Sequence, residues 1–122
     1  MLILIVDDDP LAGEMTGAVL EDGGHQVVLA ENGLEAMERL ADHPAVTLIV
    51  SDMHMPLMNG IELFRALREQ GSTRPFILLT GDEPAGLLAD EPALDGCLLK
   101  DFTLEERLPA AIAAVLARHP EL

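Results

Sequence analysis

The sequence predicts a single doubly wound α/β sandwich on a five-stranded parallel sheet. Short apolar runs alternate along the whole chain with stretches whose apolar residues recur at helical spacing, and there are five of each. Strict alternation of this kind is typical of a parallel sheet with right-handed crossovers and helices on both faces. Since 49% of the 122 residues are hydrophobic, we expect one domain, residues 1–122, with a substantial core.

Each predicted strand is a short apolar run bounded by turn-forming residues. The five runs cover residues 2–6, 26–30, about 47–51, 76–79 and 97–99. Four of the five helices are indicated by apolar spacing together with start and stop signals. They lie between Asp9-Pro10 and Gly23-Gly24, between Asn32-Gly33 and Pro44, from about residue 58 to 70, and from Thr103 onward.

Prolines interrupt the helical pattern in two places. Residues 81–95 contain two prolines and an internal glycine, so any helix there should be short and weak. The last helix should begin with a capping box formed by Thr103 and Glu106. Pro109 lies too deep for the first turn of that helix, and we expect a kink or a restart there.

Composition argues against several classes of protein. The net charge of −15, without a basic patch, makes binding of this chain to nucleic acid unexpected. The apolar stretches are only strand-sized and no basic segment precedes them, so neither a membrane span nor a signal peptide is predicted and we expect a cytoplasmic protein. Met1, directly before the first strand, suggests a true start. The lone Cys97 is interpreted as a small buried residue.

Polar residues stand at the carboxyl ends of four predicted strands. Asp7 and Asp8 follow the first strand, Asp52 the third, Thr80 the fourth and Lys100 the fifth. In open α/β sheets ligands bind at this edge, because the loops leave a crevice there. If the strands are parallel neighbours, these five side chains converge on one site.

Three clustered carboxylates require a cation. Two unit charges about 4 Å apart repel by roughly 4 kcal/mol at an effective dielectric near 20. Oxygen-only ligands favour a hard ion, and Mg²⁺ suits the site because it keeps water positions open for a phosphoryl group. Asp52 would then be the nucleophile that forms an aspartyl phosphate, with Lys100 and Thr80 as donors to the phosphoryl oxygens.

At this level of detail the chain resembles the receiver domain of two-component response regulators, over essentially its whole length. The resemblance rests on Ile5-Val6-Asp7-Asp8, Ser51-Asp52, Met55-Pro56, Asn59-Gly60, Leu79-Thr80 and Leu98-Leu99-Lys100. It implies a flavodoxin-like sheet of strand order 2-1-3-4-5. It also implies a phosphorelay protein, not an enzyme, that assists its own phosphorylation and dephosphorylation. The donor would be a phosphohistidine on a sensor histidine kinase or histidine phosphotransfer protein.

The resemblance assigns metal-binding roles residue by residue. Asp52 looks like the phosphoacceptor, and Asp8 and Asp52 look like direct Mg²⁺ ligands. Asp7 would bind the ion through water, and the backbone carbonyl of His54 would complete the protein's share. The His54 side chain is interpreted as a loop side chain, although it or Asp82 could tune hydrolysis of the phosphoryl group by lying over the site.

Thr80 resembles the switch hydroxyl of the family and Lys100 the lysine that contacts the phosphoryl group. The family's lysine is normally followed by a proline, often in a cis bond, whereas Asp101 follows here. The family's switch aromatic, three residues before the lysine, is replaced by Cys97, which is too small to act as a lever. The interval from Thr80 to Lys100 is also shorter than is usual in the family. We therefore expect phosphorylation to act mainly by ordering the loops after Asp52 and Thr80.

Two other classes of function stay open. A degenerate receiver that only docks a protein partner is favoured by the departures around Lys100 and opposed by the complete acidic set. A Mg²⁺-dependent phosphohydrolase would also pass through an aspartyl phosphate. That class usually needs a second catalytic aspartate two residues after the nucleophile, where His54 stands.

Overall fold

The computed structural model describes residues 1–120, in which five strands alternate with five helices. The strands are β1 (Leu2–Val6), β2 (Gln26–Ala30), β3 (Leu48–Asp52), β4 (Phe76–Thr80) and β5 (Gly96–Leu99). The helices are α1 (Pro10–Asp22), α2 (Gly33–Asp42), α3 (Gly60–Glu69), α4 (Pro84–Asp90) and α5 (Leu104–Arg118). None of these helices is both long and apolar enough to cross a membrane.

All neighbouring strands are parallel, in the order β2-β1-β3-β4-β5, which confirms the predicted sheet. The chain moves outward from β1 to β2 and then returns to the other side of β1 to form β3. Helices therefore cover both faces, and a crevice forms where the winding direction reverses. The register pairs Val6 with Ser51, which places Asp7 and Asp52 side by side at this crevice.

The alternation of side chains along each strand divides the core between the two faces of the sheet. The residues buried between the sheet and helices α1 and α5 include Ile3, Ile5, Leu20, Val50 and Ile112. The residues buried between the opposite face of the sheet and helices α2 and α3 include Leu4, Val6, Leu40, Ile49 and Phe64. Because the central strands are buried on both faces, they read in the sequence as continuous apolar runs.

Side-chain caps fix where three of the helices begin. The carboxylate of Asp9 accepts hydrogen bonds from the first turn of α1, as predicted, and Asn32 caps α2. Asn59 and Glu62 form a reciprocal capping box, in which each side chain accepts the other residue's backbone N–H. This box makes α3 begin at Gly60, later than the predicted start near residue 58.

The start of α5 differs from the prediction. Thr103 makes no side-chain cap, and its hydroxyl instead donates to Oδ1 of Asp101 at 2.6 Å. The same oxygen accepts the Thr103 backbone N–H at 2.8 Å. Asp101 rather than a Thr103–Glu106 capping box therefore organises this turn, because a carboxylate two residues before the donor closes a compact Asx turn.

Of the kink or restart predicted at Pro109, the restart does not occur, since α5 is one helix from Leu104 to Arg118. A proline inside a helix costs about 3 kcal/mol. Leu108, Ile112 and Val115 are each 1% exposed on the face that meets the sheet. Burial of a side chain of this kind contributes about 1.5–3 kcal/mol, so the three together outweigh the proline.

The region between β4 and β5 forms a weak helix, as the prolines predict. α4 has seven residues, none of them buried, and no side chain caps its start. Cys97 is buried in β5, in agreement with its interpretation as a core residue. The Lys100–Asp101 peptide bond is trans, like every peptide bond in the described part of the chain.

Asp95 ties the amino-terminal edge of the sheet together. Its carboxylate accepts the backbone N–H of Phe76, the first residue of β4, at 2.8 Å, and its own N–H donates to the Phe76 carbonyl. Arg118 and His119, at the end of α5, also contact Asp95, at 2.7 and 3.1 Å. The amino end of β4 is thus fixed to both β5 and α5.

Replacing Gly60 by alanine should lower the free energy of unfolding by about 1–3 kcal/mol, because overpacking strains the surrounding structure. An added Cβ would lie 2.6 Å from the carbonyl oxygen of Asp52 and 2.5 Å from Cδ1 of Leu78. Urea denaturation measures the change. Gly86→Ala is the matched control, since nothing lies within 4 Å of a Cβ there and alanine favours the helix. Equal destabilisation by both variants would contradict the close approach at Gly60.

Candidate functional site

Three carboxylates meet at the carboxyl edge of β1 and β3. Asp7, Asp8 and Asp52 each offer an oxygen, and these oxygens all lie within 4.8 Å of one another. Asp7 is 4% exposed and Asp52 6%, whereas Asp8 is exposed. The sequence therefore correctly predicted that strand pairing would bring these residues together.

The backbone around Asp7 is held in place by hydrogen bonds. Its N–H donates to the carbonyl of Ala30 at 3.0 Å, which extends the pairing of β1 with β2 by one residue. One oxygen of its carboxylate accepts the N–H of Asp9 at 2.9 Å. Asp9 in turn caps α1, so the turn from β1 into α1 fixes the Asp7 side chain.

Lys100 supplies the positive charge at this site. Its Nζ donates to Oδ2 of Asp7 at 3.1 Å and lies 3.5 Å from Oδ2 of Asp52. Its backbone N–H donates to the carbonyl of Thr80 at 2.7 Å, which holds the start of the β5–α5 loop against β4. One ammonium thus faces two buried carboxylates, leaving a net negative charge at the site.

Burial and neighbouring charges set the proton affinities of this pair. Burial raises the pKa of Asp52 and the Asp7 charge raises it further, while the Lys100 charge and a hydrogen bond from the His54 backbone partly offset the increase. Burial alone would lower the pKa of Lys100. The hydrogen bond to Asp7 and the charges of Asp52 and Asp7 outweigh burial, so the pKa of Lys100 is raised and the ammonium stays charged.

Thr80 ends β4 and is fully buried. Its hydroxyl accepts the backbone N–H of Asp82 at 3.0 Å, and its register partner is Leu99, the residue before Lys100. The structure therefore places Thr80 beside the strand that carries Lys100, as predicted. Because this hydrogen bond uses the hydroxyl as an acceptor, its proton remains available for another partner.

His54 and Asp82 connect the loops that follow β3 and β4. Nε2 of His54 lies 3.0 Å from Oδ2 of Asp82, with the two side chains 62% and 73% exposed. Each residue was considered separately from the sequence as a group that could lie over the site. The sequence does not predict their contact, because the two positions are 28 apart and are brought together by the pairing of β3 with β4.

The acidic cluster fits a hard divalent cation. All three side chains are carboxylates, and the cluster includes neither a nitrogen nor a sulfur ligand. Mg²⁺ prefers oxygen ligands and typically binds through one or two carboxylates while keeping several waters. Donor type and spacing are thus consistent with a Mg²⁺ site.

The model of the response regulator receiver domain family matches residues 3–113. The chain belongs to this family. A transcriptional regulatory protein CpxR homolog of Haemophilus influenzae is 36% identical over 118 residues, which are 95% of this chain and 50% of that protein. Response regulator MprA of Mycobacterium leprae is 40% identical over 124 residues, 97% of this chain and 52% of that protein. The receiver chain thus spans about half the length of these relatives.

Solved structures show the same fold. Chemotaxis protein CheY4 of Vibrio cholerae is 30% identical with a TM-score of 0.83, over 94% of this chain and 98% of that chain. Response regulator protein TrrA from Thermotoga maritima, solved in complex with Mg(2+)-BeF, is 29% identical with a TM-score of 0.83 over the same shares. The predicted family and flavodoxin-like fold are confirmed.

The family defines the general function of the chain. It is a receiver domain of two-component response regulators, which act in phosphorelay signalling and receive phosphoryl groups from histidine kinases. Receiver domains are phosphoacceptors that bind Mg²⁺ at an acidic site, and the Asp7, Asp8 and Asp52 pocket fits this chemistry. The docking-module and phosphohydrolase alternatives are not favoured.

Asp52→Asn should stabilise the metal-free protein at neutral pH. Because the pKa of Asp52 is raised in the folded state, ionising it costs stability as pH rises from the unfolded value, about 4, through the folded value. The stability difference between variant and wild type should therefore vanish below about pH 4. Urea denaturation in EDTA across this range measures it, with the exposed Asp90→Asn as control. A difference independent of pH would contradict the assignment.

Proposed function

We propose that Asp52 is the phosphoacceptor of a receiver domain comprising residues 1–122. The observation that carries this proposal is the convergence of three carboxylates within 4.8 Å, with the Lys100 ammonium 3.5 Å from Asp52. The donor is a phosphohistidine of a sensor histidine kinase or a histidine phosphotransfer protein. An Asp52 oxygen forms the new O–P bond while the P–N bond breaks. The electron pair of the P–N bond stays on the imidazole of the donor histidine.

The proposed cofactor is Mg²⁺, held by Asp7, Asp8, Asp52 and the backbone carbonyl of His54. When bound, the ion would neutralise charge on the phosphoryl oxygens. The protein's own residues keep the nucleophile ready to react. Asp52 needs no general base because a carboxylate is already ionised, and its burial beside Asp7 keeps competing solvent away from the nucleophile.

Lys100 and Thr80 are proposed to hold the phosphoryl group once it is on Asp52. The contact of Lys100 with Asp7 is shorter than that with Asp52, 3.1 against 3.5 Å. Asp7 can therefore hold the ammonium while its contact with Asp52 is exchanged for a phosphoryl oxygen. The Thr80 hydroxyl has a free proton to donate, and it lies at the end of the adjacent strand.

Signal output is proposed to depend mainly on the loops after Asp52 and Thr80. Cys97 replaces the aromatic residue that the family uses as a lever, and α4 has only seven residues with none buried. The contact between His54 and Asp82 already joins the two loops. A phosphoryl group between them would order this segment directly.

Incubation with a small acyl phosphate and Mg²⁺ should add one phosphoryl group to the protein. The product should be lost in hydroxylamine, as expected of an acyl phosphate, and Asp52→Asn should abolish the modification. Intact mass spectrometry measures both. Asp90→Asn is the control, since it changes an exposed carboxylate of α4 that is not part of the proposed site. An unmodified wild type, beside a modified control receiver, would contradict the proposal.

Saturating Mg²⁺ should raise the melting temperature, because a ligand at about one hundred times its Kd stabilises the folded state by about 2.7 kcal/mol. Asp8→Ala should be more stable than wild type without metal, since one repelling carboxylate is removed, and should lose the response to Mg²⁺. Thermal denaturation monitored by circular dichroism tests both, with Asp90→Ala as control. Equal melting temperatures with and without Mg²⁺ would argue against a preformed site.

A further inference from the structure

We propose that Arg107 and Asp101 are positioning residues for Lys100. Together they form a clamp, the Arg107–Asp101 clamp, that holds the Leu99 carbonyl and the Asp101 carboxylate, on either side of Lys100, and so fixes where the Lys100 side chain begins. This inference rests on the proposed role of Lys100. It assigns a function to two residues that lie outside the acidic pocket.

Arg107 joins α5 to the end of β5. Its Nη2 donates to the carbonyl of Leu99 at 2.8 Å and lies 3.4 Å from Oδ1 of Asp101. Its Nε donates to the hydroxyl of Thr103 at 2.8 Å. That hydroxyl donates onward to Oδ1 of Asp101. The guanidinium therefore bonds to the strand end and, directly and through Thr103, to the loop.

The clamp encloses Lys100 along the chain. Leu99 precedes it and Asp101 follows it, while the Lys100 backbone N–H is already bound to the carbonyl of Thr80 at 2.7 Å. Three contacts thus hold the chain at Lys100 and on either side of it, at the Leu99 carbonyl, the Lys100 N–H and the Asp101 carboxylate. A lysine side chain is a flexible four-carbon stem, so the reach of Nζ to Asp7 depends on a fixed starting point.

A clamp is needed because Asp101, rather than a proline, follows Lys100. A proline after the lysine, as is usual in the family, would restrict the backbone by locking its own φ angle. Asp101 has no such restriction. Its carboxylate instead accepts two hydrogen bonds from Thr103 and pairs with Arg107, whose side chain is only partly exposed. In this chain, side-chain hydrogen bonds of Asp101 provide the restraint that a proline ring would provide in other members of the family.

The chain contains a matched arginine away from the site. Arg39, on α2, donates to the carbonyl of Leu29 in β2 at 3.2 Å and pairs with Glu35 at 3.3 Å. The Arg39 and Arg107 side chains are 38% and 40% exposed. Each arginine thus lies on the helix that follows a strand and donates to a backbone carbonyl of that strand. Only Arg107 bonds the residue next to Lys100.

The test measures the rate of Asp52 phosphorylation by a small acyl phosphate at saturating Mg²⁺. Arg107→Ala should lower this rate roughly tenfold or more, since a displacement of about 1 Å at a reacting group costs on the order of a hundredfold. Arg39→Ala should leave it unchanged. Asp101→Ala should lower the rate and Asp101→Asn, which keeps the carbonyl acceptor, should restore it. Mg²⁺ affinity is measured by calorimetry for all four variants, so that each rate is compared at a concentration that saturates that variant.

A double-mutant cycle with Lys100 separates positioning from a general loss of structure. If the clamp acts through Lys100, Arg107→Ala should cause no further loss of rate in a Lys100→Ala background. Additive losses, or an Arg107→Ala rate equal to that of Arg39→Ala, would overturn the clamp while leaving the proposed function intact. A wild-type rate for Lys100→Ala would overturn both the role of Lys100 and the clamp. Should Arg107→Ala not fold, the comparison of Asp101→Ala with Asp101→Asn decides.

Discussion

Electrostatic repulsion at the carboxyl edge of β1 and β3 is the constraint on which the site depends. Parallel pairing places Asp7 beside Asp52, and the next residue adds a third carboxylate. Burial of two of these groups strengthens the repulsion, because screening by water is weaker there. Lys100 compensates for the repulsion only in part, so the net negative charge that remains favours a cation at this edge. The remaining sheet supplies the rigidity that keeps the charges together.

The sequence predicted the sheet and the acidic cluster because both follow from local patterns combined with one topological rule. Apolar runs located the strands, and parallel strands bring their carboxyl ends to one edge. Asp7, Asp8, Asp52 and Lys100 could therefore be grouped without knowing any distance. The strand boundaries were accurate to about one residue, as for β3, because an assignment at an element's end depends on single hydrogen bonds.

What the sequence did not predict depends on contacts between distant segments or on competing energies. The pairing of His54 with Asp82 requires the loop conformations after two strands. The bond from Arg107 to Leu99 requires the docking angle of α5 on the sheet. At Pro109 the local signal favours a restart of the helix, but burial of the helix face outweighs that signal. Local pattern is weakest where tertiary packing decides.

The two ends of β4 lead into segments that are held to different degrees. The amino end of β4 is bound to β5 and to the last turn of α5, whereas its carboxyl end leads into an exposed loop and a helix without buried residues. β4 itself is paired with β3 and β5 up to Thr80, so the strand is held along its whole length. A conformational change that begins beside Thr80 therefore costs least free energy in the exposed β4–α4 loop, because that segment can rearrange without breaking the pairing of the sheet.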